Sequence, residues 1–297
     1  MTEASTYQAL RGHLAHLHLG AAAEALPGLL DQAKAEHWSA TALLERLFAL
    51  EVAAADARRH ATLARLACLP APWRISDFDF EAQPTVDKKL VLELETLRFL
   101  DDATNILFIG PPGVGKTMLS IGLGWAVIDA GYKVHYTTAA DLAARCHKAA
   151  LEGRWANMMS FYSSPRLLVI DELGYLPLPG EGAAALFQVV TQRYLKASTA
   201  ITTNLGIASW AKVTGDPVAA SAMLDRLLHR SVVLNIDGPS YRVAYSGHSG
   251  HLFRLKADSA PVESGHGSGP KRTGQRGGRC RWFVFGCQVA QPGSRAT

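Results

Sequence analysis

The sequence predicts an α/β fold in which a parallel β-sheet is flanked by helices and preceded by a small all-helical N-terminal domain. Two observations support this prediction. From about residue 103, short apolar runs alternate with longer helical stretches, which is typical of a parallel sheet covered on both faces. In the N-terminal region, residues 1–72, leucines instead recur at helical spacing.

The N-terminal region is predicted to form several amphipathic helices. Ser39 is placed to cap a long helix that runs on through the segment "ARRHATLARLA". The segment "LPAPW" should end that helix, because proline removes a backbone donor and disfavours helix in the residue before it. We interpret residues 73–102 as a linker and lead-in segment.

Residues 103–245 are predicted to form the α/β domain. Its expected strands lie within "NILFIG", "YKVHYTT", "RLLVIDE", "STAITTN" and "SVVLNI". Its clearest helical stretches are "KTMLSIGLGWAVIDAG" and "GAAALFQVVTQRYLKA".

Residues 246–297 differ from the rest of the chain. Ten of these 52 residues are glycine, so we expect disorder there, with an attached foreign reading frame or a cloning remnant as alternatives. This tail has a net charge of +6, whereas residues 1–245 have a net charge of −2. The basic pI therefore gives no argument that the folded part binds nucleic acid.

Composition excludes some classes of protein. Because no apolar run approaches the roughly 18 residues that span a bilayer, and no signal-peptide core begins the chain, we expect a cytoplasmic protein without a membrane partner. The four cysteines have neither C-x-x-C nor zinc-finger spacing, which favours free thiols.

A phosphate-binding loop follows the first predicted strand. The pattern Gly110-x-x-x-x-Gly115-Lys116-Thr117 opens a helix, so backbone N–H groups and the helix N-terminus can surround phosphate oxygens. Lys116 should reach the β- and γ-phosphates, and the Thr117 hydroxyl should bind Mg²⁺. The sequence therefore predicts an ATP site formed by Gly110, Pro111, Pro112, Gly113, Val114, Gly115, Lys116, Thr117 and Met118.

Two adjacent carboxylates, Asp171 and Glu172, end the apolar run "LLVI". A metal ion, a catalytic water or a solvated turn could explain acids at this position. Ligands of parallel sheets bind at the carboxyl ends of the strands, so both acids reach the phosphates if this strand neighbours the P-loop strand. Asp171 would then hold Mg²⁺, and Glu172 would orient and polarise the attacking water.

Asn204 ends the next apolar run, "TAITTN". At a strand end that faces the ligand, its amide could contact both the γ-phosphate and the attacking water. Asparagine is also a common turn residue, so the alternative is a simple turn.

Four arginines are candidates for stabilising the transition state. Arg226 and Arg230 are four residues apart on one predicted helical face, and either could act on a neighbouring subunit as an arginine finger. The alternative for Arg226 is a surface ion pair with an acid such as Asp225. Arg193 is a third candidate for a subunit junction, and Arg242 could contact the phosphates within its own subunit.

These motifs together resemble a known family. The segments that carry the resemblance are "NILFIGPPGVGKT", "RLLVIDELGYLPL", "TAITTNLGIASW", "MLDRLLHRS" and "DGPSYRV", and it covers roughly residues 5–245. They resemble the IstB-like transposition helper ATPases and, more loosely, the DnaC-type helicase loaders, both of the AAA+ class.

The resemblance implies an AAA+ ATPase core that assembles into an ATP-dependent oligomer on duplex DNA and regulates a partner transposase. By motif it implies that Lys116 and Thr117 form Walker A, that Asp171 and Glu172 form Walker B, and that Asn204 is sensor 1. Arg226 would be the arginine finger and Arg242 a sensor-2-like residue. ATP and Mg²⁺ are the implied cofactors.

Two rival functions are considered beside the transposition helper. A DnaC-like replicative helicase loader has the same fold and differs in its partner. A small-molecule kinase would need an acceptor pocket and an arginine-rich lid, and neither is evident in the sequence. For DNA binding, Arg58, Arg59 and Arg65 could line one side of the N-terminal helix, although a solvated helix face is an equal alternative.

Overall fold

A computed structural model describes residues 2–175, 182–210, 217–238 and 240. The helices within these ranges are α1 (Glu3–His16), α2 (Gly20–Ala35), α3 (Ala40–Ala67), α4 (Lys88–Glu95), α5 (Lys116–Asp129), α6 (Ala139–Leu151), α7 (Trp155–Ser163), α8 (Gly182–Arg193) and α9 (Pro217–Leu228). The strands are β1 (Asn105–Ile109), β2 (Val134–Thr138), β3 (Leu167–Leu173), β4 (Ser198–Thr203) and β5 (Ser231–Asn235).

The five strands form one parallel sheet in the order β2-β3-β4-β1-β5. Four strands lie within their predicted apolar runs, and β3 extends one residue beyond its run, to Leu173, which confirms the predicted α/β fold. The strand that carries the two acids does not neighbour the P-loop strand, however, because β4 lies between β1 and β3. Asp171 still reaches the loop, because it accepts a hydrogen bond from Thr117 in the first turn of α5.

The sheet is covered on both faces by apolar side chains. Along β1, Ile106 and Phe108 join the core beneath α5, whereas Leu107 joins the core beneath α6 and α8. This alternation follows from the two-residue period of a β-strand. Polar side chains that could bind a ligand are therefore expected at the ends of the strands and in the loops that follow them.

The N-terminal helices form a small core of their own around Leu14, Leu26 and Leu47. The Ser39 hydroxyl accepts a hydrogen bond from the Ala42 N–H, which confirms the predicted cap of α3. Helix α3 then runs to Ala67, whose side chain packs in the core on the α5 face of the sheet. The boundaries proposed at residues 72, 102 and 245 stay predictions.

Some predictions concern residues that the structure does not describe, and others concern membrane spans and cysteines. Arg242 and the tail, residues 246–297, lie outside the residues that the structure describes. In the ranges that it does describe, no helix is long and apolar enough to cross a bilayer, and Cys68 and Cys146 are free thiols.

Candidate nucleotide-binding and catalytic site

The P-loop connects β1 to α5 at the carboxyl edge of the sheet. Gly113 and Gly115 have φ values of 84° and 98°, in the region that favours glycine. A Cβ on Gly115 would also stand 2.5 Å from the ring of Phe78, so a larger residue cannot adopt this turn without a shift. Val114 is fully buried and anchors the loop in the core. The loop is thereby shaped to present its backbone N–H groups to an anion.

Lys116 lies inside this loop and is 5% exposed. Its ammonium donates hydrogen bonds to the carbonyl oxygens of Gly110 and Pro111, at 2.8 and 2.7 Å. These carbonyls hold a buried cation at the centre of the loop. Phosphate oxygens are stronger acceptors for an ammonium than neutral carbonyls, so the side chain is well placed to exchange one set of partners for the other.

Asp171 is 2% exposed and is held by three hydroxyl groups. Thr117 donates to its Oδ1 at 3.1 Å, Tyr136 donates to its Oδ2 at 2.6 Å, and Thr202 also donates to Oδ1. These three residues come from the P-loop helix and from the strands on both sides of β3. No basic side chain forms a salt bridge with Asp171 among the residues described. The hydroxyls leave its negative charge in place, and a cation is the group that would neutralise it.

Tyr136 and Thr202 were not identified from the sequence. Burial, followed by the charge of Asp171, raises the pKa of Tyr136 far above its ordinary value, so its phenol stays protonated and donates to Asp171. Both residues lie inside strands, where the sequence pattern shows only which side chains alternate between the two faces of the sheet and not which residues they contact. Finding them requires the strand order, which places β2 and β4 on either side of β3.

A β-bulge separates the environments of the two acids. Between the pairs Ile170–Ile201 and Leu173–Thr203, Asp171 and Glu172 together oppose a single residue of β4. Glu172 has a φ of 60°, which is strained for a residue with a side chain, and its N–H donates to the Thr202 hydroxyl at 3.0 Å. Asp171 is therefore buried and fixed, whereas Glu172 is exposed.

Asn204 follows β4 directly and is half-buried. Its side-chain oxygen is buried and has no hydrogen-bond partner among the residues described. That oxygen lies 3.5 Å from where a Cβ on Gly174 would stand, so Asn204 sits beside the segment that follows Glu172. An unsatisfied buried acceptor is costly, and a donor from a ligand or a water would relieve that cost.

The oxygen atoms at this site fit a magnesium ion. Thr117 Oγ1 and Asp171 Oδ1 are 3.1 Å apart, and Mg²⁺ is usually held by one or two protein oxygens together with waters and phosphates. In the part of the chain that the structure describes, no group of three His, Cys, Asp or Glu residues could hold a metal without such help. The donor set therefore suits a nucleotide-bound Mg²⁺.

Arg226 and Arg230 do not lie on one helical face as predicted, because α9 ends at Leu228. Arg226 donates to the carbonyl of Ala222 at 2.8 Å, and its guanidinium lies 5.1 Å from the ring centroid of Phe187. Arg230 is exposed and donates to the carbonyl of Asp102. The trans-acting role of Arg226 stays a prediction.

Arg193 is not available to a neighbouring subunit. It is 1% exposed, and it donates to the carbonyls of Tyr162, Ser163, Pro165 and Ser198 and to the hydroxyl of Thr199. Burial lowers the pKa of its guanidinium to about 9. Its contacts join α8 to α7 and to the starts of β3 and β4, so the residue has a structural role.

Comparison with known proteins identifies the family of this chain. The sequence profile of the IstB-like ATP binding proteins matches residues 12–249. An ATP-binding protein named for insertion sequence IS5376 of Geobacillus stearothermophilus is 42% identical over 227 residues, which cover 76% of this chain and 90% of that protein. One named for IS232 of Bacillus thuringiensis subsp. berliner is 35% identical over 239 residues, covering 80% and 96%.

Among solved structures, the DnaC helicase loader superposes with a TM-score of 0.44 at 23% identity, covering 50% of this chain and 86% of that one. The assignment rests on the sequence matches, which span the helical N-terminal region, the P-loop and both acids. The chain belongs to the IstB-like family of ATP-binding proteins.

Proposed function

We propose that this protein is a Mg²⁺-dependent ATPase that acts as a transposition helper, binding duplex DNA as an ATP-dependent oligomer and regulating a partner transposase. The observation that carries the ATPase part is the pair of acids at the end of β3. Asp171 is buried under three hydroxyls next to the P-loop, and Glu172 is turned out by the bulge. The two acids can therefore act separately.

Each residue of the site has a distinct task in this mechanism. The P-loop N–H groups and Lys116 bind the phosphates, for which the ammonium leaves the carbonyls of Gly110 and Pro111. Thr117 and Asp171 hold Mg²⁺, which when bound neutralises phosphate charge.

The attack on the γ-phosphate needs a positioned water. Glu172 accepts a hydrogen bond or a proton from that water. The Asn204 amide oxygen, which has no hydrogen-bond partner among the residues described, orients the same water. In an oligomer, Arg226 would leave the ring of Phe187 and contact the nucleotide of a neighbouring subunit, and Arg242 would contact the phosphates of its own subunit.

The transposition role is supported by the relatives, which are named for insertion sequences. The relatives are bacterial, and a helper of this kind would act on DNA in the cytoplasm. A helicase loader would carry the same ATPase site and differ in its partner. A transposase gene beside this gene, and binding of its product by this protein, would separate the two.

We attribute DNA binding to the whole assembly rather than to the N-terminal helix, because few of the positive charges on that helix are available. Arg58 is paired with Glu51 at 2.9 Å, and Arg59 donates to the carbonyl of Gly131 at 2.9 Å, so two of the three proposed arginines are engaged within the chain. Arg65 is exposed. Weak basic sites aligned in an oligomer would give binding that is largely independent of DNA sequence and sensitive to salt.

The test is to measure duplex DNA binding and ATP turnover together. We expect that DNA binds tightly only with ATP or a non-hydrolysable analogue, that the affinity falls steeply as salt rises, and that DNA changes the ATPase rate. Equal DNA binding with and without nucleotide would count against the mechanism. Transfer of phosphate to a metabolite, with no free phosphate released, would replace the ATPase with a kinase.

Tyr136→Phe should raise the Mg²⁺ concentration required for half-maximal ATP turnover by about ten- to a hundredfold, the range seen when a residue supporting a metal ligand is lost. The physical reason is the loss of the 2.6 Å hydrogen bond that orients Asp171. ATP turnover is measured as a function of Mg²⁺ concentration. Tyr132→Phe, at an exposed tyrosine, is the matched control. An unchanged Mg²⁺ requirement in Tyr136→Phe would show that Asp171 needs no such support.

A further inference from the structure

A row of cations lies at the edge of the sheet opposite the P-loop. Lys133 and Arg166 come directly before β2 and β3, and Lys196 comes two residues before β4. The backbone sets them side by side, because the Arg166 N–H donates to the Lys133 carbonyl at 2.8 Å and the Ser198 N–H donates to the Arg166 carbonyl at 3.2 Å. Neighbouring strands are about 4.8 Å apart, so the three side chains start from adjacent positions.

These cations line a pocket of about 400 Å³ together with Ser163, Ser164 and Gln192. The Lys133 ammonium is 2.7 Å from the Ser164 hydroxyl, and the Ser163 hydroxyl donates to the Gln192 amide oxygen at 3.0 Å. None of the described residues that line the pocket is acidic. The pocket thus combines a planar guanidinium, two ammonium groups, hydroxyls and an amide, a set that suits an oxyanion.

The positive charge of this pocket is poorly balanced. Arg166 has one ion pair, at 3.7 Å, with Asp101, whose side chain is 81% exposed, and its Nε is buried without a hydrogen-bond partner among the residues described. Within the same ranges, Lys133, Lys196 and Arg193 form no salt bridge. An exposed pair contributes little, so most of the charge remains to attract an anion.

Arg193 adds a buried charge beneath the pocket. Its guanidinium donates to the carbonyls of Ser163 and Pro165, both of which line the pocket. A guanidinium that is 1% exposed, with only neutral acceptors, has lost its water without gaining a counter-ion. A bound anion would recover part of that cost.

We propose that this pocket, which we call the basal pocket (Lys133, Ser163, Ser164, Arg166, Gln192 and Lys196), binds phosphates of the DNA backbone. ATP is not the occupant, because the P-loop lies at the opposite edge of the sheet. Adjacent cations on a row of strands match a repeating phosphate chain better than a single carboxylate, and a guanidinium fork is suited to phosphate oxygens. The proposal rests on the DNA binding proposed above.

The row is confined to three strands. The segment before β1 contributes Asp101 and Asp102, both exposed, which would repel a phosphate chain at that point. A backbone that follows the cations would therefore cross the starts of β2, β3 and β4 and leave the sheet before β1.

The experiment is a salt titration of duplex DNA binding by the full-length chain with an ATP analogue. The test variant is the double substitution Lys133→Ala with Lys196→Ala, and the control is Lys89→Ala with Lys148→Ala, which removes the same charge from exposed lysines elsewhere. Each neutralised phosphate contributes about 0.9 to the slope of log affinity against log salt, so we expect the slope to fall by about 1.8 in the test variant only.

The outcomes separate the two proposals. If the test variant and the control retain the same slope as the wild type, the basal pocket does not bind DNA, and the proposed function stands. If the wild type itself fails to bind DNA with nucleotide, the proposed function fails and the pocket proposal fails with it. If the test variant keeps its slope but loses binding to the partner transposase, the pocket binds an acidic protein surface, which overturns the DNA proposal.

Folding is checked by ATP binding and thermal unfolding, because Lys133 also contacts Ser164. Should the alanine variant unfold, Lys133→Gln with Lys196→Gln replaces it, since glutamine removes the charge and keeps a donor toward the hydroxyl. The same fall in slope is expected, and its absence in the folded glutamine variant would equally overturn the proposal.

Discussion

Glu172→Gln should bind ATP as tightly as the wild type and turn it over about a hundred to ten thousand times more slowly, the range for loss of a general base. Glutamine has the same shape as glutamate, so the bulge and the hydrogen bond from the backbone N–H to the Thr202 hydroxyl should persist. The amide cannot accept a proton from the attacking water. Binding is measured with a fluorescent nucleotide, and turnover is measured as phosphate release.

Glu93→Gln is the matched control, because Glu93 is an exposed glutamate on α4. We expect it to bind and hydrolyse ATP as the wild type does. Unchanged turnover in Glu172→Gln would remove Glu172 from its role at the water. Loss of ATP binding in that variant would mean that the carboxylate acts on the nucleotide itself rather than on the attacking water.

Lys116→Ala should weaken ATP binding by about ten- to a hundredfold, which corresponds to one charge-assisted hydrogen bond worth about 1.5–3 kcal/mol. The lysine is 5% exposed inside the P-loop, and alanine leaves no cation there to contact the phosphates. Affinity is measured by titrating the nucleotide at saturating Mg²⁺. This variant should lose binding, whereas Glu172→Gln should keep it.

Lys89→Ala, at an exposed lysine, controls for the loss of one positive charge. The carbonyls of Gly110 and Pro111 lose their donor in Lys116→Ala, so thermal unfolding without nucleotide should be recorded as well. If the Lys116→Ala variant is stably folded and binds ATP with wild-type affinity, Lys116 does not contact the phosphates, which contradicts their assigned position.

The elements of the α/β domain were accessible from pattern alone. Each of the five strands coincides with a predicted apolar run to within one residue, and α5 begins at Lys116, where the P-loop pattern places a helix. Local sequence decides these features, because a buried strand needs a short apolar run and a phosphate loop needs glycine at positive φ. The cap at Ser39 is equally local.

Features that depend on neighbouring strands were not accessible. The contacts of Tyr136 and Thr202 with Asp171 come from β2 and β4, and the order β2-β3-β4-β1-β5 is a property of the whole sheet. The bulge at Glu172 arises from the register between β3 and β4. Arg193 is a candidate for a subunit junction by its sequence, and only the packing of the folded chain shows that it is buried.

Short segments of the sequence are thus enough to identify the nucleotide-binding loop and its two acids. Phosphate binding depends on backbone geometry, which a few adjacent residues control. The different roles of those two acids are not determined by the local sequence. Asp171 is buried beneath hydroxyls from three separate segments, and Glu172 is turned outward by a mismatch between two strands. Both outcomes require residues distant in the chain to meet, and that meeting is decided by how the sheet assembles.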